Sequence, residues 1–187
     1  MIIYNNKALR ILLIFNSIFV FASSLLGPLY AIFVSGIDSK IMSVSFSWAA
    51  FLISTTICML LLRKWGDSLK EKEYFIMASY LIRAIVWFLF PFISTLFMLI
   101  ILQVILGIGE ALGTPAFCAL FAEHLDDGKH IEEFTDRKLM VCFSEVMGVL
   151  AGGIIVSKFG FKSLFMIMGI LALISFIGIL LQPRELL

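Results

Sequence analysis

Arg83, Glu110 and Glu145 are ionisable residues set inside long apolar stretches of the sequence. Counted from the ends of those stretches, they lie roughly 10 to 20 Å deep in a bilayer, where an unpaired charge costs at least ~2.5 to 3.5 kcal/mol. They must therefore face protein or water. Desolvation and a neighbouring cation act on such a carboxylate in opposite senses, so Glu110 or Glu145 is placed to exchange a proton and couple that exchange to a cargo. The same residues equally fit a static pair, Arg83 with one glutamate, that fixes helix packing. Gln103, Gly107, Glu110 and Thr114 follow at i, i+4, i+7 and i+11, which puts polar and small groups on one helical face. Asn16, Ser23 and Gly27 repeat the theme in the first apolar run. Two such stripes imply a water-accessible cavity, the alternative being small and amide residues that let helices approach and hydrogen-bond. Gly109-x-x-x-Gly113 and Gly148-x-x-x-Gly152 are assigned to close helix packing.

The elements that carry these residues follow from composition. The 187 residues are 61% hydrophobic and 14% charged, with a mean hydropathy of +1.09. Soluble domains run near 45 to 50% apolar and about 25% charged, so the excess must meet lipid. Apolar runs fall at about 11–34, 41–62, 74–92, 95–122, 139–157 and 163–182, each long enough to span ~30 Å as a helix. The first run follows Lys7 and Arg10 as a signal peptide would, but it exceeds 20 residues without a convincing cleavage site and is kept as a membrane helix. A net charge of +1 gives no sign of a nucleic-acid partner.

Positive charge orients the chain, since lysine and arginine mark the cytoplasmic side of short loops. With the N-terminus inside, the cytoplasmic segments hold Lys7, Arg10, Arg63, Lys64, Lys70, Lys72, Lys129, Arg137, Lys138 and Arg184, the outer loops Lys40, Lys158 and Lys162, and one helix Arg83. Both termini are thereby cytoplasmic. The linker from Glu123 to Lys138, with mixed charge and Gly128, reads as a surface helix or connector. Pro28 to Phe33 in the first run echoes Pro115 to Leu120 in the fourth, each with a glycine within two residues before it. Repeats of three helices are inverted with respect to one another and belong to transporters, with Gly/Pro-interrupted segments near the substrate path.

Cys58, Cys118 and Cys142 lie in apolar runs without CxxC spacing, so they indicate neither disulfides nor a metal site. His124 and His130 share the charged linker, which leaves no intramembrane histidine for a metal or proton relay. Glu132-Glu133-Phe134-Thr135-Asp136-Arg137 fits the E-E-x-x-x-R pattern of CAAX-type membrane proteases, yet the downstream histidines are absent. No Ser/His dyad falls within a helix, and no glycine loop is built to cradle phosphate. No enzyme, cofactor or metal is expected.

Six apolar runs with an inward N-terminus, together with Gln103-Val104-Ile105-Leu106-Gly107-Ile108-Gly109-Glu110-Ala111, resemble the amino-terminal half of the major facilitator superfamily. That family's fourth helix carries R-x-x-x-G-x-G-x-A, and Gln103 stands here at the arginine position. Gly148-Val149-Leu150-Ala151-Gly152-Gly153 is similar to the family's G-P-x-x-G-G segment with Val149 for the proline. Phe159 to Phe165 resembles its entry to helix six. The loop pattern G-x-x-x-D-R-x-G-R-K is matched mainly by Asp67 and the basic residues after it. The resemblance implies a cytoplasmic gate role for Asp67, which latches helix ends by charge and capping.

The expectation is an all-α membrane protein of one domain over 1–187, with six transmembrane helices in two three-helix inverted repeats (about 8–92 and 95–182). Its expected function is secondary transport of a small solute by alternating access, coupled to protons, in a prokaryotic cell membrane. Glu110, Gln103, Asn16, Glu145, Arg83 and Thr114 are the expected path residues. Partners are the bilayer, an unidentified cargo, and a second copy or a second six-helix half covering the polar stripes. A non-transporting membrane interaction or assembly protein is the alternative of a different class.

Overall fold

The computed structural model describes residues 7–65, 71–125 and 128–182. Its elements are α1 (Lys7–Ser24), α2 (Tyr30–Ser35), α3 (Ile41–Trp65), α4 (Glu73–Leu89), α5 (Leu96–Glu123) and α6 (His130–Leu180), with short 3-10 turns at Gly27–Leu29 and Phe90–Phe92. Among the described residues there is no strand. Asp67, the expected gate residue, lies outside the described residues.

Among the described residues, five helical stretches are long and apolar enough to cross a membrane: Arg10–Ser35, Ile41–Lys64, Glu73–Phe92, Leu96–Glu123 and His130–Leu180. The first joins α1 and α2 through the turn that contains Pro28, whose ring opens the 3-10 segment where its missing N–H costs nothing. Pro115 behaves differently, because α5 runs through it without interruption. The two prolines that echo each other in sequence thus do different things to the backbone. Thr95 starts α5 from an extended conformation, its hydroxyl accepting the Met98 N–H at 3.3 Å.

At 51 residues, α6 would be about 76 Å long if straight. It is not continuous: Gly160 sits at φ 77 and ψ 175, a combination essentially confined to glycine. Its first turns begin at His130, so residues 130–138 of the expected linker are already helical and the connection from α5 shrinks to 124–129.

In this bundle α6 packs along α1 and α4, while α5 packs along α3 and α4. Small residues set these approaches. A Cβ on Gly148 would fall 2.7 Å from the Phe21 carbonyl oxygen, and one on Gly152 would strike the Leu25 carbonyl, so the two glycines bring α6 against the backbone of α1 and of the residue that follows it. Gly113 meets the Ser79 side chain of α4, Gly109 meets Ile82 and Arg83 of the same helix, and Gly107 meets the Phe51 carbonyl of α3. Thr55 donates to the Gly107 carbonyl at 3.2 Å and Ser54 to that of Val104 at 2.8 Å, which ties α3 to α5. At one end, Phe33, Phe90 and Phe165 form an aromatic cluster with ring centroids 4.8 to 5.7 Å apart. Large apolar side chains such as Phe46, Ile53 and Leu60 of α3 and Phe143 and Leu150 of α6 remain exposed.

Candidate functional site

Helices α1, α4, α5 and α6 line an open cavity of about 220 Å³ whose lining includes Asn16, Ser23, Tyr80, Arg83, Glu110, Thr114, Arg137 and Glu145. Glu110 lies ~20 Å from either end of α5, so the carboxylate sits at mid-helix depth. It pairs with Nη2 of Arg83 through Oε2, and its other oxygen, Oε1, accepts the Thr114 hydroxyl one turn along the same helix. The Arg83 side chain is 12% exposed and that of Glu110 29%, so the carboxylate is the partner more open to the cavity. The guanidinium carbon of Arg83 lies 4.9 Å from the Phe19 ring centre, a cation–π contact that holds the arginine from the α1 side. Its Nε is buried without a hydrogen-bond partner.

Phe19 stacks on Tyr80 with centroids 4.2 Å apart, and the Tyr80 hydroxyl donates to Asn16 Oδ1 at 3.4 Å. Aromatic rings thus form the floor under the charged pair. On the opposite wall, the Arg137 guanidinium lies over the rings of Phe117 and Phe121, at 4.9 and 5.4 Å. Its Nη2 is 3.9 Å from Cys118 Sγ, and its Nε is also buried without a partner. Glu145 stands two turns farther along α6, with Val141 between.

The structure therefore brings together Asn16, Arg83, Glu110, Thr114 and Glu145. Gln103 is elsewhere: buried at 3% exposure, it donates to the Tyr30 hydroxyl at 2.6 Å, and Tyr30 donates in turn to Ser47 at 2.6 Å. This chain of hydrogen bonds links α5, α2 and α3, so Gln103, at the arginine position of the family pattern, acts as an inter-helix tie. Gly107 likewise faces α3. The stripe divides because α5 touches different neighbours at different depths. Sequence reasoning missed Arg137, assigned to the cytoplasmic surface, along with Phe19, Tyr80 and Phe117. The i, i+4, i+8 spacing of Arg137, Val141 and Glu145 was the available signal for the first; aromatic residues within apolar runs carry none.

Apolar helices of this length around a charged cavity define an integral, polytopic helical membrane protein. The chain belongs to the Major Facilitator Superfamily, whose sequence model matches residues 12–186. It is 25% identical over 155 residues to YitZ, named as an uncharacterized MFS-type transporter, of Bacillus subtilis (strain 168), an alignment covering 83% of this chain and 94% of that protein. Family and relative together support a transporter.

Proposed function

We propose that the chain is a carrier rather than an enzyme: one six-helix half of a secondary transporter that moves a small solute by alternating access, coupled to protons, in a prokaryotic cell membrane. The observation that carries the reading is the Arg83–Glu110 pair, with Glu110 midway along an apolar helix, opening onto a cavity between four helices. A charge pair kept there merely for packing has little reason to line a cavity, whereas a carboxylate in contact with both a cation and accessible space can change protonation state.

The kink at Gly160 supports six crossings, with α6 divided there. Each part, 130–159 and 161–180, is at least as long as the ~30 Å hydrocarbon layer requires, and Lys158 and Lys162 flank the break where it would meet one membrane surface. Both termini are then cytoplasmic. A second copy of the chain, or a second six-helix half, completes the path by covering the side of the cavity that would otherwise face hydrocarbon. Two inverted three-helix repeats remain part of this reading, even though Pro28 and Pro115 differ in their effect.

Alternating access is tested by substituted-cysteine labelling at Ser23 and Thr114, which line the cavity, in a background lacking Cys58, Cys118 and Cys142. Membrane-impermeant thiol reagent should reach both positions from each side of the membrane, with rates that shift in opposite directions when a proton gradient is reversed. Labelling from one side alone, at rates indifferent to the gradient, would remove the reading.

A further inference from the structure

Resting on the transporter reading above, the arrangement of donors around Glu110 also defines the charge of the cargo. The Nε–H and one Nη2–H of an arginine project from the same edge of the guanidinium and together match both oxygens of a planar carboxylate. In this cavity that edge is only half used. Glu110 gives Oε2 to Nη2 and commits Oε1 to Thr114, and Arg83 Nε is buried without an acceptor. Glu110 therefore holds Arg83 by one bond of a two-bond site.

We propose that the cavity takes a small organic monocarboxylate together with one proton. A proton from the aqueous side adds to Glu110, the bond from Arg83 Nη2 to Oε2 breaks, and the neutral carboxyl group stays on Thr114. The freed Nε/Nη2 edge of Arg83 receives both oxygens of the incoming carboxylate. Arg83 itself stays in place, less exposed than its partner and fixed over the Phe19 ring.

Charge balance selects this cargo over a cation. Before loading, Arg83 and Glu110 neutralise each other; after loading, Arg83 and the bound anion do so, and Glu110 is neutral. Proton or anion alone leaves one uncompensated charge in the membrane interior, which is costly, so empty and fully loaded forms are the ones able to reorient. A cationic cargo competing for Glu110 would leave the Arg83 guanidinium, at 12% exposure, without a counter-charge. The other charged groups facing Glu110 are Arg137 and Glu145, both from α6, with Tyr80 of α4 and Asn16 of α1 as uncharged polar neighbours. Arg137 and Glu145 have opposite signs and leave the net charge of the cavity unchanged. The Arg137 guanidinium, held over Phe117 and Phe121 with an unpartnered Nε, adds a second attraction for an anion at the same cavity.

The test is binding, independent of transport, on the purified full chain in lipid nanodiscs. Acetate, lactate and gluconate are titrated calorimetrically in two buffers of different ionisation enthalpy, with tetraphenylphosphonium and glucose as cationic and neutral controls. At least one monocarboxylate should bind with uptake of one proton per anion, and its affinity should fall about tenfold per pH unit where Glu110 is ionised in the free protein. Glu110→Gln should bind the same anion without proton uptake and with a flat pH profile. Arg83→Gln should weaken binding by about 30-fold, with Arg83→Lys between the two. Tetraphenylphosphonium bound with proton release, anion affinity unchanged in Arg83→Gln, or no monocarboxylate bound by the wild type at millimolar concentration would each overturn the proposal. Should proton-linked binding occur in a protein that supports no flux in vesicles, the transporter reading falls and the site assignment stands. Should the protein drive a cation instead, the reverse holds.

Discussion

At the scale of single residues, the cavity is a balance between charges that stabilise one another and a bilayer that penalises either alone. Removing one member leaves the other without a counter-charge, which is worse than removing both. Arg83→Gln and Glu110→Gln should each lower thermal stability in detergent, and the double variant should recover a large part of the loss, a coupling of about 1 to 2 kcal/mol for a pair that is partly solvated. Scanning fluorimetry of the four proteins would check this; additive losses would mean that the pair contributes nothing as a pair. Much of this site is legible in the sequence, because a charge in the middle of an apolar run has few places to go. Arg83, Glu110 and Glu145 announce themselves for that reason, and Thr114 and Asn16 by association. Gln103 does not separate from Glu110 by periodicity, since the two share a helical face and diverge only because Tyr30 lies beside one and Arg83 beside the other. Arg137 was hidden by the rule that basic residues near helix ends stay outside.

At the scale of elements, glycines decide how close the helices come and where they turn. Gly152 lets α6 rest on the Leu25 carbonyl just past the end of α1, a contact with backbone that cannot give way. Gly152→Val should therefore separate these helices and destabilise the protein by about 2 kcal/mol or more, read as a lower thermal midpoint, while Gly153→Val, where a Cβ meets nothing within 4 Å, should be tolerated. Equal losses at the two positions would contradict the packing account. These packing motifs are visible in the sequence as small-xxx-small spacings. The break between the last two helices is visible too, since Gly160 falls in the gap between the apolar runs 139–157 and 163–182, although nothing in Phe159-Gly160-Phe161 specifies its positive φ. The loop before α3 has its own pH signature. The Asp38 carboxylate accepts from the Ser43 hydroxyl at 2.7 Å and the Lys40 N–H at 3.1 Å, and these bonds, the first above all, hold its pKa below the ordinary value of 3.8. A lowered folded-state pKa contributes stability that is complete above the unfolded value and is lost as pH falls through the folded one. Asp38→Ala should thus destabilise at neutral pH, with the gap to wild type narrowing below about pH 4. A gap that stays constant into strong acid would show that the ionised carboxylate is not what matters.

The whole molecule presents a charged cavity bounded by four helices and broad apolar flanks on α3 and α6. Composition alone was enough to place the chain in a membrane, and charge distribution to propose its orientation. Hydropathy also separated the last two apolar runs, and the kink at Gly160 falls in the gap between them. Under the proposed function, a second copy or a second six-helix half covers the open side of this cavity. Single cysteines at Ser23 or Thr114, in the cysteine-free background, should form crosslinked dimers in native membranes if a second copy supplies that cover. A monomer that remains fully active would exclude the pair.

The central claim, that Glu110 carries the coupling proton of a transporter, is tested most directly by proton movement. Proteoliposomes holding a trapped pH-sensitive dye receive an inward gradient of a monocarboxylate that the protein binds, with wild type and Glu110→Gln reconstituted at equal density. Wild type should acidify the lumen as anion and proton enter together, and the variant, which has the shape of the site but no titratable group, should leave it unchanged. Equal acidification by the two proteins would contradict the account.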